Sequence, residues 1–160
     1  MTEIKDIGIV WSNETGKGEW HIENGDIAVD HALYSSVMVS LFTDRVAPLE
    51  PSQSEKNAAI GKVDGDRRGW WGDMLRTEPM GSRLWQLKRA VKADKNSIID
   101  SAQDMIYEAL SWMVESGLVD SMNADVKWVQ SGLLQFSIQL KEPKQYSPKI
   151  FLFSWAWEGV

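Results

Sequence analysis

A chain of 160 residues with 43% hydrophobic and 25% charged side chains can bury its own core, which excludes global disorder, a coiled-coil rod and reliance on disulfides or metal. With no cysteine there is no thiolate metal site and no cysteine nucleophile, and no apolar run reaches the ~20 residues of a membrane helix. The net charge of 17 − 23 = −6 opposes nucleic acid as the main partner, whereas nine tryptophans and seven methionines fit a protein that docks on another surface.

Residues 1–6 lack the apolar region of a signal peptide, so a soluble protein made in a cytoplasm is expected. Residues 7–11 are apolar and β-branched and read as a strand, followed by a turn at Gly16 and Gly18. Trp20 and Ile22 alternate with His21 and Glu23 up to an Asn24-Gly25 turn, which completes an N-terminal β-hairpin. After Asp30, a candidate helix cap, Leu33, Val37 and Leu41 recur at every fourth position beside Tyr34, Met38 and Phe42. That pattern predicts an amphipathic helix ending near Thr43. From 45 to 65 the periodicity dissolves among Pro48, Pro51, Gly61 and Gly65, so a mobile or irregular loop is expected, with one helical turn near 55–60.

Asp66-Arg67-Arg68-Gly69-Trp70-Trp71-Gly72-Asp73 is the least ordinary stretch, and Gly81-Ser82-Arg83 then opens a short helix carrying Leu84, Leu87 and Lys88. Residues 97–116 form the longest helix expected, with Ser97 and Asp100 spaced as a capping box and Gly117 as the stop. The period then switches to two. Val126 and Trp128 lead into a Ser131-Gly132 turn, Leu134, Phe136, Ile138 and Leu140 alternate with polar residues, and a last strand covers 150–157. The fold class is therefore α+β: a hairpin, central helices including one long amphipathic helix, and a C-terminal antiparallel sheet.

Little in the chain points to catalysis. His21 and His31 lack metal-site spacing, and Asp64-Gly65-Asp66 places Arg68 where a calcium loop needs an oxygen ligand. No GxSxG elbow or glycine-rich phosphate loop occurs. Glu14, Glu19, Glu23 and Asp26 gather near the hairpin, so a paired-carboxylate hydrolase stays open as the alternative, although clustered surface acids are ordinarily just solvated.

Arg67 and Arg68 beside Trp70 and Trp71 could bind nucleic acid by charge and stacking, but Asp66 and Asp73 cancel most of that field. An internal ion network of guanidinium groups on carboxylates and indole faces is the better reading. Phe151, Phe153, Trp155 and Trp157 share one face of the last strand, and Ile150, Leu152, Ser154 and Ala156 the other. Both faces are therefore expected to be covered, by the chain itself or in part by a second chain.

Ser40-Leu41-Phe42-Thr43-Asp44-Arg45, the 66–73 string, Gly81-Ser82-Arg83-Leu84-Trp85-Gln86-Leu87 and Tyr107-Glu108-Ala109-Leu110-Ser111-Trp112-Met113-Val114 occur in that order. Together they resemble the Mu-like phage baseplate-wedge family, related to the sheath-initiator wedge subunits of contractile tails and type VI secretion baseplates. The resemblance spans roughly residues 7–155, with no shared motif over 50–63 and no Glu-Pro-Arg signature at the end of the long helix. It implies a single wedge-like domain over 1–160 and a structural subunit rather than an enzyme, with no catalytic residue, metal or cofactor.

The implied location is the virion tail baseplate, reached from the host bacterial cytoplasm, in a phage or prophage. The implied partners are other baseplate-wedge proteins and the tail sheath, with the tail tube as a further candidate and neither membrane nor nucleic acid. Sheath assembly would be seeded when a sheath arm adds a strand to the C-terminal sheet. The site residues expected are Asp66, Arg67, Arg68, Trp70, Trp71 and Asp73 as a rigid signature loop, Arg45 and Arg83 in its ion network, and Trp128, Phe136, Phe153 and Trp155 in the receiving sheet. Some relatives carry a lysozyme-like label, so a peptidoglycan hydrolase of the tail tip is the second reading.

Overall fold

The computed structural model describes residues 5–12, 14–27, 29–90 and 94–156. The chain opens with six short strands, β1 (Lys5–Ile7), β2 (Ile9–Ser12), β3 (Lys17–Trp20), β4 (Ile22–Glu23), β5 (Asp26–Ile27) and β6 (Val29–His31). The expected hairpin is present as β2–β3, and the chain adds two further antiparallel pairs, β4–β5 nested beside it and β1–β6 closing the base. Asn24 and Gly25 both hold positive φ between β4 and β5, as a two-residue turn of this hand requires.

Helix α1 (Ala32–Phe42) buries Leu33, Val37, Met38 and Leu41, the rows that the spacing predicts. The 45–65 stretch is irregular except for α2 (Gln53–Asn57), whose Ser52 cap and Glu55 bond each other's backbone reciprocally. It does not stand away from the body, since Ala47, Ala58, Ile60 and Val63 are buried. Two 3-10 helices follow, Trp71–Leu75 and Leu84–Arg89, the second replacing the short α-helix expected after Gly81.

Helix α3 (Lys95–Glu115) is the spine, and its cap is Asp94 rather than Ser97. The Asp94 carboxylate accepts from the backbone of Asn96 and Ser97, and it also takes the Ser97 hydroxyl at 2.6 Å. Ser97 is thereby spent as a donor inside the first turn. Three antiparallel strands complete the fold in the order β7 (Ser121–Gln130), β8 (Leu133–Lys141) and β9 (Lys149–Ala156). Rows such as Val126–Phe136–Phe153 run across the sheet and face the helices. Leu134, Phe136, Ile138, Leu140 and Phe153 pack with α1 and α3 into one core.

On the aromatic face of β9, Phe151 and Phe153 are covered by α1 and the N-terminal ribbon. Phe42 meets Phe153 edge-on at 5.5 Å and stacks on Trp11 at 3.7 Å, and Tyr34 lies over Phe151 and Phe153. The opposite face is not covered by the chain itself: Ile150 is 58% and Leu152 62% exposed. Phe136 and Phe153 are therefore core residues, unable to meet a partner with their side chains. Trp155 pairs with Leu134 through its backbone, and Trp157 falls outside the described residues.

Candidate protein interface

The two outer strands of the sheet differ in what meets their edges. On β7 the N–H of Ala124 donates to the Tyr107 hydroxyl at 3.1 Å, and its carbonyl accepts from Gln103 Nε2 at 2.8 Å. Both partners come from α3, so side chains occupy the place of a neighbouring strand. Further along, the Trp128 indole donates to the Lys95 carbonyl at 3.3 Å and ties the same strand to the start of α3.

Ala124 turns its backbone groups away from β8, and the alternation of an antiparallel ladder then fixes the direction of every other residue. Ile138, opposite Ala124, bonds toward β9 and its partner Phe151, which leaves Ile150, Leu152, Ser154 and Ala156 directed outward. The Ser154 carbonyl is met by the Trp11 indole at 3.3 Å. Among the described residues no strand pairs with this edge. The outer face is polar on β7 and β8, with Asn123, Asp125, Gln135, Ser137 and Gln139, and turns apolar at Ile150 and Leu152. An uncovered edge with apolar side chains is what proteins normally avoid, because it templates pairing with another chain.

The 66–73 string is well anchored, though by partners other than those expected. Arg67 donates through Nε and Nη2 to the Ala47 carbonyl, while the Ala47 N–H returns to the Arg67 carbonyl at 2.9 Å. Arg68 pairs with Asp44 at 2.6 Å, and its guanidinium carbon lies 4.6 Å from the centre of the Trp85 ring. Asp66 and Asp73 accept backbone N–H groups, from Arg68 and Met80. The network of arginines on Asp66, Asp73 and the two adjacent indoles is therefore not what forms. Arg68 also holds φ at +55°, a left-handed conformation that costs a residue with a Cβ about 1–2 kcal/mol.

The Trp70 ring packs on Gly72, where an added Cβ would sit 2.2 Å from it, so a larger residue there would displace the indole. The Trp71 ring lies 5.3 Å from that of Trp70, tilted by 48°, and is 73% exposed, with Met74 at 86% and Leu75 at 87%. The sequence pattern marked Trp71 but not Met74 or Leu75, whose exposure follows from a 3-10 turn that buries only Gly72.

Arg45 and Arg83 belong to a separate ion cluster. Arg83 reaches Glu108 through Nε at 2.7 Å and Glu55 through Nη1 at 2.5 Å. Arg45 lies 3.8 Å from the other Glu108 oxygen and donates to the Pro79 carbonyl at 2.6 Å. Burial alone would raise the Glu55 pKa, but hydrogen bonds from the Ser52 hydroxyl and backbone, with the Arg83 charge behind them, hold it below its ordinary value. Burial likewise opposes the Arg83 charge and is outweighed by Glu108 and Glu55, leaving that pKa raised. Glu55 and Glu108 went unmarked in the sequence because ordinary surface-type acids carry no signal of a distant partner.

The carboxylates of the hydrolase alternative, Glu14, Glu19, Glu23 and Asp26, are exposed around the ribbon turns. They lack the apolar enclosure that a glycosidase's general acid uses. Among the described residues no group of three or more His, Asp or Glu could hold a metal ion, and no helix is long and apolar enough to cross a membrane.

The fold is α+β, with its C-terminal sheet unpaired along β9 among the described residues, and sequence comparison assigns the family. Residues 33–147 match the family described as Phage protein GP46, and the chain belongs to it. It is similar to the "Baseplate protein gp46" of Escherichia phage Mu, 35% identical over 140 residues that cover 88% of this chain and 89% of that protein. It is also similar to the "Mu-like prophage FluMu protein gp46" of Haemophilus influenzae, 29% identical over 141 residues with the same coverage of 88% and 89%. The resemblance to Mu-like baseplate proteins read from the signature strings is borne out.

Proposed function

We propose that this protein is a structural subunit of a contractile-tail baseplate that docks on wedge proteins and seeds sheath assembly by accepting a strand along β9. The observation that carries this reading is the outer edge at Ile150 and Leu152, whose backbone groups face away from β8 and whose side chains stand in solvent. A strand laid there gains main-chain hydrogen bonds for affinity and two apolar contacts for register. The baseplate name of the phage Mu relative supports the location. The signature loop acts as a rigid platform, with Trp71, Met74 and Leu75 as anchors for a neighbouring wedge chain.

The test is tail assembly in a phage or prophage carrying this gene. Leu152→Lys and Ile150→Lys leave the melting temperature within a degree or two of the parent, because both side chains are already solvated, yet they yield tails without sheath. Contractile tails of normal length from both variants overturn the reading. The hydrolase alternative is met by a peptidoglycan-clearing assay on purified protein, in which clearing abolished by Glu19→Gln would replace the structural role.

A further inference from the structure

Between the β2–β3 ribbon and the end of α1 lies an open cleft of about 300 Å³. Its apolar lining includes the stacked Trp11 and Phe42 rings and Trp85. Its polar lining inverts the sign of the protein: Lys17, Arg68 and Lys88 face it with Asp44 as the carboxylate, three cations to one anion in a chain of net charge −6. Arg68 is placed there from a left-handed backbone, held by its N–H to Asp66, by one guanidinium nitrogen on Asp44 at 2.6 Å and by stacking on Trp85, with its other guanidinium nitrogens left to meet a second carboxylate. Backbone held in a sparsely populated region recurs where a fold aims a side chain at a ligand.

We infer that this cleft binds an acidic segment of another polypeptide, a carboxylate lying against Arg68 and Lys17 while an adjacent apolar side chain rests on Trp11 and Phe42. The complementarity is of charge first, since a guanidinium fork and an ammonium suit a carboxylate, and of surface second. A nucleic acid strand is a poor match. It needs a continuous basic track, whereas here Asp44 sits inside a space that holds one or two side chains. The site is separate from the β9 edge, though Trp11 borders both.

The probe is an end-capped peptide of alternating aspartate and leucine, titrated into the full chain and followed by amide and indole NMR shifts. Its asparagine counterpart and an oligothymidylate serve as the other arms. The expected result is saturable shifts at Gly16, Gly18 and the Trp85 indole, weakened at least tenfold by Lys17→Glu and by Arg68→Gly, and unchanged by Ile150→Lys. Arg68→Gly, which relieves the backbone, should leave the melting temperature unchanged or higher, separating a recognition role from a structural one. The inference is overturned if millimolar peptide gives no saturable shift at these residues, if the asparagine peptide binds equally, if the oligonucleotide binds more tightly, or if both variants bind like the parent. Loss of binding in Ile150→Lys would move the site to the sheet edge and equally overturn it.

Discussion

Arg83 Nη1 lies 2.5 Å from Glu55 Oε1, and with 11% and 2% of their side chains exposed the two form a charge pair sealed between α2, α3 and the second 3-10 helix. Removing one member strands the other without water. Arg83→Ala should therefore cost about 3–5 kcal/mol in urea unfolding. Arg83→Lys should recover less than half of that, because a single ammonium cannot hold Glu55 and Glu108 through two separate nitrogens. A loss below 1 kcal/mol for Arg83→Ala would mean that the pair is solvated.

The same carboxylate sets a pH dependence. Glu55 has its folded pKa lowered from 4.5, so its contribution is complete above the unfolded value and disappears as pH falls through the folded one. Unfolding free energy should be level from pH 8 to about 5.5 and drop below about 4.5. Glu55→Gln should lower the neutral plateau and converge with the parent in acid, as followed by urea midpoints at stepped pH.

Gly81 has φ +98°, and a Cβ there would sit 2.3 Å from the Thr43 carbonyl oxygen. That contact lies where Ser82 and Thr43–Arg45 exchange backbone hydrogen bonds, joining the end of α1 to the second 3-10 helix. Gly81→Ala should cost about 3–5 kcal/mol, whereas Gly61→Ala, with open space around it, should be neutral or stabilising by up to about 1 kcal/mol. Thermal unfolding of the two variants side by side checks the contrast.

Gln103 and Tyr107 cap the β7 edge at Ala124, and each contributes one hydrogen bond to its backbone. Gln103→Ala and Tyr107→Phe should each cost about 1 kcal/mol. The double variant should also self-associate with rising concentration, visible by sedimentation, because the edge is then free to pair.

The core elements were legible wherever one period dominated. The α3 row from Ile98 to Met113 and the alternation of Leu134, Phe136, Ile138 and Leu140 each bury one face, and the pattern states it directly. The sequence offers both Asp94 and Ser97 as caps of α3, three residues apart, and the chain uses Asp94, whose carboxylate takes the Asn96 and Ser97 N–H groups. At β9 both faces are apolar, and sequence alone records that without saying which face the chain itself covers. The partners of Arg83 could not be seen at all, since Glu55 and Glu108 are 28 and 25 residues away in sequence and meet it only through the packing of α2 on α3. Arg68 was marked, but its left-handed backbone and its stacking on Trp85 depend on the turn geometry around it.

The unequal treatment of the two sheet margins has a consequence for assembly. Under the proposed strand addition along β9, the Gln103 and Tyr107 bonds at Ala124 hinder the same addition at the middle of β7, which favours one guest for each sheet.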